Sequence, residues 1–369
     1  MKDIGIFDLK YDEEFKQKFR NFCDEILDTA YLTNHVFVKR FENEFAKFSG
    51  SKFSLATTSG TTSLEAALRA VDVRGKEVIL PTNTFIATAA AIINAGGIPK
   101  IIDVEPEYYS LCPENLKSSL TKEVAAVITV HIAGHISPTI LELQKTCLEF
   151  GIPLIEDCAH AHGAKLNGQG AGNFGAFGCF SHFTTKVMTT GEGGSLICNE
   201  QDLYEKVLSI RQFGKDESNS ILHTREGSNF KVTEFQAALG ILELERINQR
   251  INKRRELALR YQENLKDSEW SCLTDNDFML SSYYKQVIIP PTKFKRADIE
   301  KTLNEKGISL TGGVYNIPLH KQPTLKKFIQ QNKYKVSDTF SKAHICPPCY
   351  PELKLKDIDR ICAELIGMK

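Results

Sequence analysis

Phe53-Ser54-Leu55-Ala56, Glu77-Val78-Ile79-Leu80, Ile98 to Val104, Ala125 to Val130 and Pro153-Leu154-Ile155 are short apolar runs spaced along the first half of the chain. The stretches between them, such as Thr62 to Val71 and Thr139 to Phe150, repeat apolar residues at helical spacing. Short apolar runs alternating with amphipathic helices predict an α/β fold built on a mostly parallel, doubly wound sheet flanked by helices. Ligands of such sheets collect beyond the carboxyl ends of the strands, so the residues that follow each run are the ones to inspect.

Outward from this block, Val232 to Leu265 reads as one long helix able to connect two lobes. Beyond it, Tyr283 to Pro290 reads as a strand, Ala297 to Lys306 as a helix, and Ile358 to Ile366 as a last helix; upstream, Phe15 to Ala30 and Val38 to Phe48 read as helices. A chain of 369 residues exceeds the roughly 250 to 300 that one core holds. The expected division is a large domain over 1–250, N-terminal helices included, and a smaller C-terminal α+β domain over 251–369.

Forty-six basic and 46 acidic residues leave no net charge, and the one basic cluster, Lys253-Arg254-Arg255, reads as a solvated helix face. Nucleic acid is therefore not an expected partner. Met1-Lys2-Asp3-Ile4-Gly5 lacks a basic segment followed by an apolar run, and no stretch approaches the roughly 20 apolar residues of a spanning helix, so the expectation is a cytoplasmic protein with no membrane partner. Ten cysteines scattered singly suit buried thiols in a reducing compartment. Cys346-Pro347-Pro348-Cys349 is open to a zinc or thioredoxin-like reading, but no second pair stands at ligand spacing.

Four segments carry chemistry. Thr58-Ser59-Gly60-Thr61-Thr62 ends a strand and opens a helix, where small hydroxyl residues and a glycine suit a phosphate as well as an ordinary cap; Thr62 with Glu65 is the expected capping box. In Glu156-Asp157-Cys158-Ala159-His160-Ala161-His162-Gly163 a carboxylate at a strand end is placed to hold a pyridine nitrogen protonated. The two histidines, expected on one face of an extended segment, lack further ligands for a metal, and none is expected. Gly170 to Gly175 matches the dinucleotide fingerprint, with Glu192 about 20 residues past Gly172, but a strand-like run follows it, so a turn between strands is the better reading. Finally, in Phe180-Ser181-His182-Phe183-Thr184-Thr185-Lys186, with Gly193-Gly194 downstream, a lysine among apolar and hydroxyl residues is either a surface lysine or one whose amine is freed by desolvation to condense with an aldehyde.

In order along Thr33 to Gly367, these segments resemble the DegT/DnrJ/StrS family of sugar aminotransferases, fold-type I enzymes dependent on pyridoxal 5'-phosphate. Gly227-Ser228-Asn229-Phe230, Gln236 to Gly240, Tyr315 to His320 and Pro347 to Leu353 fit its later blocks. The resemblance implies Lys186 as the Schiff-base lysine, Asp157 as partner of the pyridine nitrogen, and Phe85 packed on the ring. Ser59, Gly60, Thr61 and Ser181 would meet the phosphate, with Asn229 reaching it from the other subunit of a homodimer with shared active sites. His160 stands where the family most often has glutamine near the phenolic oxygen, His182 replaces a usual phenylalanine, and Thr311 a frequent arginine. His182, Glu192, Tyr315 and His320 are candidate substrate residues. The implied reaction moves an amino group from glutamate to a nucleotide-linked keto sugar, a 4-keto or 3-keto 6-deoxy sugar. The alternatives are a sugar dehydratase, which in this family has histidine in place of the lysine, and a non-catalytic regulator or binding module of the same fold.

Overall fold

The computed structural model describes residues 3–216, 218–219, 221–329 and 333–368. Two helices, α1 (Glu13–Thr29) and α2 (Val36–Ser49), precede the sheet. Asp12 caps the first by accepting from the Phe15 amide at 2.9 Å, and Gly50 closes the second in the left-handed conformation that glycine adopts without penalty. The alternation then runs β1 (Phe53–Thr57), α3 (Gly60–Ala70), β2 (Glu77–Pro81), α4 (Ile86–Asn94), β3 (Ile98–Ile102), α5 (Pro113–Ser119), β4 (Val124–Val130), α6 (Ile140–Glu149) and β5 (Leu154–Asp157). A hairpin of β6 (Lys165–Leu166) and β7 (Gln169–Gly170) turns through Asn167 and Gly168, both at positive φ, before β8 (Phe177–Ser181), β9 (Gly194–Cys198) and α7 (Gln201–Arg211).

Seven strands form one sheet in the order β1-β9-β8-β5-β4-β2-β3. Neighbours from β8 across to β3 are parallel, and β9 pairs antiparallel with both β1 and β8. The two faces are read by strand alternation: Val78, Leu80, Ala126, Ile128 and Ile155 pack under α3 and α4, whereas Ile79, Val127 and Leu154 pack on the other face with α2 and α6. This is the three-layer α/β sandwich that the alternating runs predict.

A long helix, α8 (Glu234–Leu265), follows, opened by a capping box between Thr233 and Gln236. Ala237, Ile241, Ile247 and Ile251 belong to the core shared with α2, while Leu257, Tyr261 and Leu265 belong to another, shared with α9 (Arg296–Glu305) and α11 (Leu355–Ile366). Residue 250 thus lies inside one unbroken helix. Short strands β10 (Ser271–Cys272), β11 (Met279–Leu280) and β12 (Ile288–Ile289), with α10 (Lys335–Ala343), complete the chain. No helix among the described residues is long and apolar enough to cross a membrane, and all ten cysteines are free thiols.

Three expectations need correction. The strand expected over Tyr283 to Pro290 shrinks to Ile288–Ile289, because Tyr283 sits at φ 47° and breaks the extended run. The capping box of α3 is Ser59 with Thr62; Glu65, one turn on, pairs with Arg69 instead. The basic cluster is not a solvated face. Arg254 is buried and donates to the carbonyls of Tyr284 and Cys349, and Arg255 donates to those of Ser281 and Gly163.

Candidate active site

The carboxyl ends of β1, β2, β5 and β8 converge on a cavity of about 440 Å³. Asp157 is the last residue of β5, and strand alternation turns it and Glu156 to opposite faces. Glu156 is fully buried and accepts from the amides of Gly172, Phe174 and Gly175 and from His131 Nε2, so the glycine-rich turn anchors this strand. Asp157 lines the cavity. Its carboxylate accepts from the Ala159 amide at 3.1 Å and from Thr88 Oγ1 at 2.9 Å, and it forms no ion pair among the described residues. Burial pushes its pKa up, against those two hydrogen bonds and the nearby Lys186 charge.

Across the same cavity, α3 presents its first turn. Ser59 caps it, accepting from the Thr62 amide at 3.1 Å, and the amides of Gly60 and Thr61 lie where a helix has no partners of its own to offer. A Cβ on Gly60 would stand 2.8 Å from that of Ser181, so glycine is what allows the helix to approach the end of β8. Lys186 follows in a turn closed by its amide on the Phe183 carbonyl; its Nζ lies 4.7 Å from the Tyr284 ring centroid. Tyr284 also meets Thr185 Oγ1 at 3.2 Å. Burial raises its phenol, but the charges of Lys186, Lys285 and Arg254 together with the Thr185 hydrogen bond outweigh this and bring it below the ordinary value.

Phe85, which caps α4, exposes 57% of its surface at the cavity, an open apolar face for a planar ring. His160 stacks on Tyr284 at 4.4 Å and meets the Tyr315 hydroxyl at 3.2 Å, while its buried Nδ1 has no partner. Burial, helped by Lys186 and Lys285, keeps His160 neutral well below its usual value. A buried carboxylate without a cation, free amides at a helix start, an exposed ring and a lysine together meet the needs of a phosphorylated pyridine aldehyde.

The model of the DegT/DnrJ/EryC1/StrS aminotransferase family matches residues 13–366. The chain belongs to this family. A relative named GDP-perosamine synthase from Vibrio cholerae is 29% identical over 95% of this chain and 96% of its own length. A dTDP-3-amino-3,6-dideoxy-alpha-D-galactopyranose transaminase from Aneurinibacillus thermoaerophilus is 27% identical, over 97% and 96%. The solved aminotransferase of Psychrobacter cryohalolentis superposes with a TM-score of 0.89 at 25% identity, over 97% of both chains. Pyridoxal phosphate, the cofactor of this DegT-family enzyme, is the group the cavity fits.

The cavity of the family member gathers Ser59, Gly60, Thr61, Phe85, Asp157, His160, Ser181, Lys186, Glu192 and Tyr315 from the sequence reading. It excludes His182, which is buried behind the site: Nε2 meets Ser195 Oγ at 2.8 Å and Nδ1 faces His162, among Phe41 and Phe45. His320 is also turned away, held between Thr82 and Asp338 and stacked on Tyr334. As substrate residues both are corrected. His160 and His162 do not share a strand face, because β5 ends at Asp157; only His160 reaches the cavity. Asn229 is exposed outside this cavity, accepting from Lys231 Nζ. Thr88, Thr185, Tyr284 and Lys285 were missed; the signal available was Tyr283-Tyr284-Lys285, two aromatics followed by a cation.

Proposed function

We propose that this enzyme moves an amino group from glutamate to a nucleotide-linked keto sugar, oxidised at C4 or C3 and deoxygenated at C6, in the cytoplasm and as a homodimer. The observation that carries the reading is one cavity holding both Lys186 and the carboxylate of Asp157, which makes no ion pair among the described residues, beside the first turn of α3. The relatives' names, which carry GDP and dTDP sugars, support the substrate class. Bound pyridoxal phosphate supplies an aldehyde carbon that accepts the amine and a ring that withdraws electrons from it.

Each residue has a role suited to its place. The amides of Gly60 and Thr61, with the hydroxyls of Ser59 and Ser181, hold the phosphate; Asn229 reaches the phosphate of the partner's site. Asp157 keeps a proton on the ring nitrogen, and Phe85 covers one face. Neutral His160 orients the phenolic oxygen, and Glu192 and Tyr315 border the sugar. Lys186, once its amine is free, takes the proton from the donor's α carbon and returns one to the sugar carbon on the way to amino sugar.

The test is to supply the purified enzyme with glutamate and a panel of nucleotide-linked keto sugars and to measure 2-oxoglutarate and amino sugar. Equal amounts are expected, with none from Lys186→Ala. Loss of water from the sugar without consumption of glutamate would favour a dehydratase instead.

A further inference from the structure

Beside the main cavity lies a smaller one of about 150 Å³, and the two share Thr185, Tyr284 and Lys285 as walls. The remaining boundary of this annex includes Arg254, Thr311 and Gly312. Arg254 is only 3% exposed, and its guanidinium uses Nη1 alone, on the carbonyls of Tyr284 and Cys349. Its Nε is buried without a partner, and Nη2 makes no hydrogen bond among the described residues. Glu352, whose charge it feels and whose Oε2 is also buried without a hydrogen-bond partner, makes no ion pair with it among the described residues.

A guanidinium removed from water with no anion in contact costs several kcal/mol. Two carbonyls do not account for it, since a neutral donor would serve them as well. Lys285 adds a second cation on the wall common to both cavities. The annex is too small for a nucleotide or a sugar, whose sites run from roughly 300 Å³ upwards, and suits a group of a few atoms. A planar anion of two oxygens is what a guanidinium fork recognises best.

We propose that the annex receives a carboxylate of the amino donor, anchored by Arg254, and so selects amino acids over simple amines. This rests on the aminotransferase reading, and the annex adjoins the Lys186 cavity along Thr185, Tyr284 and Lys285, which line both. Arg254 is then a specificity residue of the first half of the reaction and not of the second.

The test is calorimetric titration of the holoenzyme with glutarate, an unreactive dicarboxylate, and with uncharged glutaramide. Glutarate is expected to bind and glutaramide not to. Arg254→Gln, checked for an unchanged unfolding temperature, should weaken glutarate at least tenfold. Should that variant unfold, Gly312→Leu serves in its place: Gly312 lines the annex, a Cβ there meets nothing within 4 Å, and Arg254 keeps its own side chain. In turnover, both variants should raise KM for the amino acid at least tenfold and leave KM for the sugar unchanged. Glutarate binding that survives in both folded variants overturns the proposal, as does an equal rise in KM for the sugar. If the variants lose glutarate but the wild type transfers no amine from any amino acid, the functional reading falls and the annex stands.

Discussion

Asp157 shows most directly how one residue serves the site at a cost to the fold. Its carboxyl titrates above the ordinary range because burial outweighs two hydrogen bonds and the Lys186 charge. A raised folded value means that the native state holds this proton more tightly than the unfolded chain, so stability falls as pH rises through the window between the two. Asp157→Asn should therefore leave the cofactor-free protein at least as stable at pH 7, read as an equal or higher unfolding temperature. The same change should lower amine transfer by about 10²-fold or more, because an amide cannot keep the pyridine nitrogen protonated. A clear fall in unfolding temperature would mean that the carboxylate is stabilising as it stands. Lys186 and Asp157 were legible because their surroundings are local: a strand end in one case, a turn of hydroxyls and glycines in the other. Tyr284 was not, since it meets Thr185 from 99 residues away. His182 and His320 misled because a side chain's direction is not written in the sequence once the backbone leaves a regular period; both turn inward to hydrogen bonds that only the tertiary structure supplies.

At the scale of elements, two helices are set in place by glycines that nothing larger can replace. In α3, a methyl at Gly60 would press on Ser181, so Gly60→Ala should push the helix start off the end of β8 and spoil both proposed phosphate contacts at once. A loss of at least tenfold in cofactor affinity, about 1.4 kcal/mol, is expected from a binding titration; unchanged affinity would mean that the amides of α3 do not hold the phosphate. In α8, a Cβ on Gly240 would come within 2.6 Å of the Phe41 ring. Phe41 is itself buried and packs on Phe45 and His182, so it has little room to yield. Gly240→Ala gains about 1 kcal/mol of helix propensity but incurs roughly 1–3 kcal/mol of overpacking, for a net loss expected in urea unfolding. A net gain would show the α2–α8 contact to be looser than its geometry. The strands themselves were readable as short continuous apolar runs wherever they were buried on both faces, as β2 and β4 are. The failures fell where one backbone angle decided the outcome, as at Tyr283, or where a charged residue was buried against backbone carbonyls, as Arg254 is.

For the whole molecule, the loop closed by the Gln212–Asn229 bridge holds Phe213, Ile221 and Leu222 exposed beside the asparagine proposed to serve a second subunit. Sedimentation is expected to give a dimer, and Ile221→Lys combined with Leu222→Lys a monomer that loses cofactor; a monomeric wild type that transfers amine would refute shared sites. Acid should act on the fold through its histidines. His160, His162, His182 and His344 are kept neutral by burial, and the last two titrate only near 3. The unfolded chain takes up these protons near pH 6.5, so the native state's advantage is complete above that value and declines as pH falls below it, by roughly 1 kcal/mol per histidine per pH unit. Asp157 and Glu243, with raised carboxyls, act in the opposite sense, while His320, which burial also lowers, acts with the four, making two against five. Urea unfolding of the cofactor-free protein should therefore show several kcal/mol less stability at pH 5 than at pH 7. His182→Phe, which keeps an aromatic ring against Phe41 and Phe45, should flatten that slope by about one histidine's share; a slope unchanged by the substitution would mean that His182 takes up its proton in the folded state as readily as in the unfolded chain.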